Sequence, residues 1–365
     1  MPLDRLGISR RQLLAAGLAT PLCPAPALAL VLPHDGLQFP RDLGSHPDFS
    51  IEWWYITGHL LSGSGAKQQE YGFQLTFFRS RVDATQEMVS TFAAKQLIFA
   101  HAAVTDVTGK KLWHDQRIAR DGFGVAQASN QDTTVILRDW SLQRQARQYK
   151  AVAVGEAFRF DLALLETQSL LLQGDQGLSR KGPLEKQTSF YYSLPQLQAT
   201  GVLTLGGRKM TVRGEAWLDH EWSQALLHPQ AVGWDWIGMN LFDGSALTAF
   251  RLRDQEGSAL WDGGSFRHPS MGASPQVFGR GEVLFRPVRT WTSPLTQARY
   301  PVEWIVRTPA DFYTVKAVLD NQELDSRGST GAIYWEGLSE LHDSNGKLVG
   351  RGYLEMTGYA SPLRL

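Results

Sequence analysis

IEWWYITGHLLSGSGAKQQEYGFQLTFFRS, residues 51–80, decides the fold. Two aromatic, β-branched runs, 51–60 and 71–80, flank SGSGAKQQ (62–69), which has the composition of a hairpin loop. The same pattern recurs in TTVILRDW (133–140), FRFDLALL (158–165), VLTLGGRKMTVRGEAWL (202–218) and YPVEWIVRT (300–308). LGGRK (205–209) reads as a second hairpin loop. The helical candidates are short: AAKQLIFA (93–100), which also reads as a strand, and a turn near 222–228. No strand–helix alternation occurs, so a parallel α/β sheet is not expected. The class is all-β.

The strands repeat. WYITGHL (54–60) resembles WIGMNLF (236–242), and each is followed by a strand ending in Phe and Arg, FQLTFFR (73–79) and LTAFRLR (247–253). GEAWLDHEW (214–222) is a weaker match to GRGYLEMTGY (350–359), aligning Trp217 with Tyr353 and Asp219 with Glu355. We therefore expect two antiparallel β-barrel domains in tandem, 30–230 and 231–365. Closure into barrels removes the sheet edges that long apolar strands would expose.

Residues 1–29 are expected to be a signal peptide. Ser9-Arg10-Arg11-Gln12-Leu13-Leu14 fits the twin-arginine export pattern, and Ala27-Leu28-Ala29 offers a small-residue cleavage site. The alternative is an ordinary secretory signal. The apolar run is too short and too broken by Gly17 and Pro21 to span a bilayer, and no later segment is apolar enough. The expected location is the periplasm or the medium. Cys23, the single cysteine of the 365 residues, lies inside this segment, so the mature chain would have no disulfide or thiolate site. A formal net charge of zero gives no electrostatic reason to expect nucleic acid or an anionic membrane as partner.

Asp219, His220 and Glu221 stand between Trp217 and Trp222. The zinc-protease pattern needs a second His four residues after His220, and position 224 is Gln. Strand alternation also turns Asp219 and Glu221 to the face opposite His220. No metal and no organic cofactor is expected. No G-x-S-x-G motif and no phosphate-binding glycine loop is present. What remains is a set of aromatic and ionisable residues at two strand entries. Trp53, Trp54 and Tyr55 follow Glu52, and Trp234, Asp235 and Trp236 open the second unit. An imidazole or carboxyl walled by Trp is desolvated, which moves its pKa toward neutrality. The structural alternative is that the Trp residues plug barrel ends and that Asp219 and Glu221 are anchors. Arg79 and Arg251 are expected to pair with carboxylates of this set. His101 reads either as a pocket residue or as a strand residue.

SIEWWYITGHL, YGFQLTFFRS, HAAVTD, WLDHEWSQ and GWDWIGMNLFDG, in this order, resemble the AttH/carotenoid 1,2-hydratase family, also described as predicted secreted hydrolases with tandem lipocalin-like domains. The resemblance covers about 46–365. It implies two lipocalin-like barrels and an apolar site at or between them. Within the family, carotenoid hydratases protonate a C=C bond and add water to the cation. AttH-like members are exported and linked with ABC transport systems. The His-x-Trp of the hydratase motif matches His220 and Trp222. The Tyr-x-Asp that follows it in hydratases falls on Phe250 and Leu252, so Asp219, Glu221 or Asp235 would have to supply the proton.

Two readings follow. In the first, an exported protein binds a lipophilic or polyene-like molecule, with hydrolase or hydratase chemistry using water. His220 is then the acid/base, oriented by Asp219 or Glu221, and Trp53, Trp54, Tyr55, Arg79, His101, Trp222, Trp234, Asp235 and Trp236 line the ligand. In the second, it is a non-catalytic periplasmic carrier or an accessory to an ABC exporter of lipids or lipoproteins. A third, a carbohydrate-binding module with exposed Trp platforms, fits less well, because the paired Trp sit in apolar strands.

Overall fold

The computed structural model describes residues 36–363 apart from Leu226. The expected signal segment, 1–29, lies outside them. Among the described residues the helical elements are four 3₁₀ turns of three residues each; the rest of the regular structure is strand.

The first sheet has thirteen antiparallel strands between Ile51 and Ser223, and the second has ten between Gly233 and Met356. Each is a meander of neighbouring strands with one long-range pairing. In the first, Ile51–Ser62 pairs with the last strand, Arg208–Ser223. In the second, Gly233–Leu241 pairs with the last strand, Leu348–Met356. The remaining ends of the first sheet are also brought together: Lys111–Arg120 approaches Thr134–Leu137, and the Arg117 guanidinium lies 4.9 Å over the Trp140 ring. The sheet thus curls into a barrel around Ile56, Phe73, Leu75, Val104, Leu162 and Leu218, all fully buried. The second sheet wraps a separate core that includes Ile237, Met239, Trp304, Trp335 and Leu354. Both fillings come from one face of each strand, as period-two side-chain alternation demands.

Local chemistry explains the turns. The loop after Thr188–Leu205 is Gly206-Gly207, both at positive φ (55° and 80°), the left-handed region that a tight two-residue hairpin requires. The 93–100 segment resolves as a strand from Gln96, paired on both edges, with Ile98 and Ala100 buried on one face.

The repeat is real, but its register differs by one residue from the alignment of Trp54 with Trp236. Glu52 pairs with Arg79 across the first hairpin, and Asp235 pairs with Arg251 across the equivalent one. Glu52 thus corresponds to Asp235, and Trp53, not Trp54, to Trp236. By the same criterion Glu221, opposite Trp53, corresponds to Glu355, opposite Trp236. A one-residue slip exchanges the two faces of a strand.

The sheets meet along their outer faces. Tyr55, Trp217, Trp236, Phe250, Leu338 and Tyr353 form a second apolar cluster there. Polar ties hold the contact: Gln196 amide groups bond to Asn240, Leu241 and Ser245, and Arg267 donates to the carbonyls of Ser169 and Leu170.

Candidate functional site between the two sheets

Strand Arg208–Ser223 carries two different sites on its two faces. His220 and Trp222 point into the first barrel. Trp217, Asp219 and Glu221 point out, toward the second sheet.

Inside the barrel, Glu52 is the hub and has no solvent exposure. Its carboxylate accepts from Ser45 Oγ (2.7 Å), the His46 backbone N–H (2.9 Å), His46 Nδ1 (2.8 Å), Arg79 Nε (2.8 Å) and His220 Nε2 (2.9 Å). Burial alone would raise this carboxyl, but the His220 and His46 contacts outweigh it and hold the group well below the usual range. Burial lowers His220 to about 4, against the pull of Glu52, so the ring is neutral. It donates from Nε2 to Glu52 and accepts at Nδ1 from the Tyr192 hydroxyl at 2.9 Å. Trp54 and Trp222 pack on the ring at 4.7 and 4.8 Å between centroids. His46 is raised despite its burial by its bonds to Asp42 and Glu52, and it stacks on Trp222 at 3.7 Å. Arg79 also ties down the carbonyls of His46 and Phe49. His46 Nδ1, Glu52 Oε1 and His220 Nε2 lie within 4.8 Å of one another, a donor set of a kind that can hold a metal. Here five donors already saturate the carboxylate, and the arrangement works as a buried charged hydrogen-bond network.

The expectation that Asp219 or Glu221 orients His220 is therefore corrected: Glu52 and Tyr192 do so, because His220 faces the other way. Asp235 plays in the second sheet the part Glu52 plays in the first. It is fully buried, accepts from Arg251 Nε (2.7 Å) and the Tyr359 hydroxyl (2.9 Å), and forms an ion pair with Arg253 Nε at 3.0 Å. Arg79 and Arg251 each pair with a carboxylate, Glu52 and Asp235. Trp54, Trp222 and Arg79 are set within the first barrel, and Asp235 is buried in the second sheet.

The outer face has a different character. Asp219 accepts from Trp217 Nε1 (2.7 Å) and Ser193 Oγ (2.5 Å), both on Oδ1. Burial raises its pKa to about 7, opposed by the bonds from Ser193, Trp217 and Tyr191. Glu221 accepts from Ser189 and pairs with Lys181 Nζ at 3.0 Å. Lys181 in turn lies 4.3 Å over the Phe250 ring of the second sheet. From the second sheet come Glu336 and Glu355, directly opposite each other on neighbouring strands. Burial, then the charge of Glu355, pushes Glu336 well above the usual range. Burial raises Glu355 to about 7, with the Trp234 contact opposing; its side chain keeps some exposure. Aromatic rings wall these acids. Tyr55 meets Trp236 edge-on at 5.3 Å, Trp217 meets Trp236 at 6.5 Å, and Trp236 Nε1 donates to the Tyr191 hydroxyl at 3.2 Å.

Exposure on this face rises toward the strand entries. Trp53 and Trp234 are half-buried, whereas Tyr55 and Trp236, two residues further in, are buried. His101 lies on this face as a strand residue. It bonds Tyr334 of the second sheet (2.8 Å) and Ser329 (2.9 Å), and burial holds it neutral with a pKa near 3. Phe250 and Leu252 also face this region, so the strand that would carry Tyr-x-Asp brings no acid. Sequence reasoning overlooked Glu336, Tyr191 and Lys181, and named Glu355 only as the repeat counterpart of Asp219. The alignment of Asp219 with Glu355 was the one available signal, since it put a second acid on the repeated strand.

The comparisons agree with this architecture. The AttH-like family model matches residues 30–359. A crystal structure of an AttH-type protein from Nitrosomonas europaea is 44% identical, covers 90% of this chain and 99% of its own, and superposes with a TM-score of 0.83. Kievitone hydratase from Nectria haematococca shares the fold at 13% identity, covering 90% of this chain and 94% of its own, with a TM-score of 0.68. No curated protein matches the chain. No described helix is long and apolar enough to cross a membrane. With one family model spanning nearly all the described residues and a 44% identical relative matched over 90% of the chain, this protein belongs to the AttH-like family.

Proposed function

We propose that this protein, exported by its twin-arginine segment, binds an apolar, unsaturated small molecule between its two sheets and adds water to it. One observation carries the reading. Buried carboxyls from both sheets, Asp219, Glu336 and Glu355, are held toward their protonated forms beside the π faces of Tyr55, Trp217 and Trp236. A neutral carboxylic acid in an apolar, aromatic site is what protonation of a C=C bond needs. Asp219 gives its proton to one alkene carbon, forming a C–H bond and leaving a cation on the other. The indole and phenol faces stabilise that cation. Water adds to it, forming the C–O bond, and the proton released returns to the Asp219 carboxylate. The fold is shared with a hydratase, which agrees with this chemistry.

The test begins with protein purified from its own periplasm. Bound material is extracted into organic solvent and identified by mass spectrometry. The compound is then incubated with wild type and Asp219→Asn in heavy-oxygen water. Incorporation of label by wild type and its loss in Asp219→Asn supports hydration. Binding without incorporation by either protein makes this a carrier, such as an accessory to an ABC export system. Failure to bind any apolar compound overturns the reading.

A further inference from the structure

Three polar atoms at the inner end of the intersheet site lack hydrogen-bond partners although each is enclosed: Tyr55 Oη, Gln74 Oε1 and Glu336 Oε1. Their residues are 6%, 1% and 2% exposed. They come from three strands, two in the first sheet (Ile51–Ser62 and Gln69–Arg81) and one in the second (Ala332–His342). Gln74 Nε2 lies 2.5 Å from Glu336 Oε2 and 3.2 Å from Tyr334 Oη and Thr76 Oγ1, so one end of the amide is engaged and the other, Oε1, has no partner. Tyr55 and Glu336 lie within side-chain hydrogen-bond reach of each other, a contact that an arriving oxygen would bridge. A direct bond between them would still leave Gln74 Oε1 unmet. Unpaired buried polar atoms cost free energy, so such a cluster is maintained where a partner arrives.

The rest of the enclosure is apolar or aromatic: Trp217, Trp236, Leu338 and Tyr353. Tyr55 offers a donor, Gln74 an acceptor, and the neutral Glu336 carboxyl either. That set complements a hydroxyl or carbonyl oxygen. It does not suit an anion, since Asp219 and Glu355 stand on the same face and no described cation reaches these three atoms.

We propose that Tyr55, Gln74 and Glu336 form a subsite for one neutral oxygen function, a hydroxyl or carbonyl, at the end of an otherwise apolar ligand. The proposal rests on the reading that an apolar molecule occupies the intersheet site. A ligand without the oxygen leaves the three atoms unpaired and is rejected on that account.

The test compares three probes of one skeleton on the full mature chain at neutral pH: the C20 prenyl alcohol geranylgeraniol, the hydrocarbon lacking only its oxygen, and the corresponding carboxylic acid. Quenching of tryptophan fluorescence reports binding. The alcohol is expected to bind about tenfold more tightly than the hydrocarbon, roughly the value of one well-made buried hydrogen bond, with the acid weakest. Tyr55→Phe and Glu336→Gln each change one polar group without changing shape. The preference for alcohol over hydrocarbon should shrink in both. Equal binding of alcohol and hydrocarbon by wild type overturns the subsite, leaving it to water, but spares the reading of an apolar site. Binding of none of the three to a folded protein overturns the proposal and counts against that reading too.

Discussion

Asp219→Asn is the most informative single change, because structure and proposed role pull it in opposite directions. Asn keeps an Oδ1 that can accept from both Trp217 and Ser193, so the two anchoring bonds survive. What it removes is a group whose charge burial opposes. The wild-type carboxyl rises from 3.8 to about 7 in the folded state. At about 1.4 kcal/mol per unit, that costs the fold about 4 kcal/mol once pH exceeds the folded-state value. The sign follows from proton counting: between the two values the folded state binds more protons than the unfolded one. Stability is therefore fully present below about pH 4 and is lost as pH rises toward 7. Asn has nothing to deprotonate. Urea denaturation followed by tryptophan fluorescence should show the variant more stable than wild type at pH 8, by as much as about 4 kcal/mol, with no gain at pH 4. Hydration should be lost in the same variant. A destabilisation of similar size at both pH values would refute the reasoning and make Asp219 an ordinary anchor.

The network inside the first barrel supports different expectations. Glu52→Gln leaves Arg79 buried without its anion and should cost about 3–5 kcal/mol in chemical denaturation; a loss under 1 kcal/mol would show that the network is not stabilising. His220→Gln should lower the melting temperature yet leave ligand affinity of the folded protein within a few-fold, as calorimetric titration would show, because the ring faces away from the intersheet site. Prolonged chelation should leave the melting temperature unchanged, since protein donors already saturate Glu52; a drop of several degrees, reversed by zinc, would instead place a metal at His46, Glu52 and His220.

Much of this protein was legible before any coordinates. Alternating runs such as 51–60 and 71–80, cut by glycine loops, specify antiparallel strands through side-chain period alone. The tandem repeat follows because each unit opens with Trp-rich strands and closes with a strand bearing acids. Period two also separates His220 from Asp219 and Glu221. Less was legible in the register of the repeat: Trp54 and Trp236 look equivalent as letters, and only the pairings of Glu52 with Arg79 and Asp235 with Arg251 show that they face opposite ways.

The decisive choice, which face of GEAWLDHEW lines a barrel and which meets the second sheet, lies beyond periodicity. Both faces of that strand are buried and both carry Trp beside an ionisable group, so alternation gives two equivalent stripes. Packing breaks the tie. Barrel closure brings Ser45, His46, Arg79 and Tyr192 around the His220 side and surrounds its charge with partners. Docking of the second sheet over the Asp219 side brings Glu336 and Glu355 instead, so like groups crowd together with few donors. Strands, repeat and alternation can be read from the residues alone. Which carboxyls stay charged and which keep their protons was decided by the partners that barrel closure and sheet docking bring around them, His220 to Glu52 and Glu336 and Glu355 to the Asp219 face.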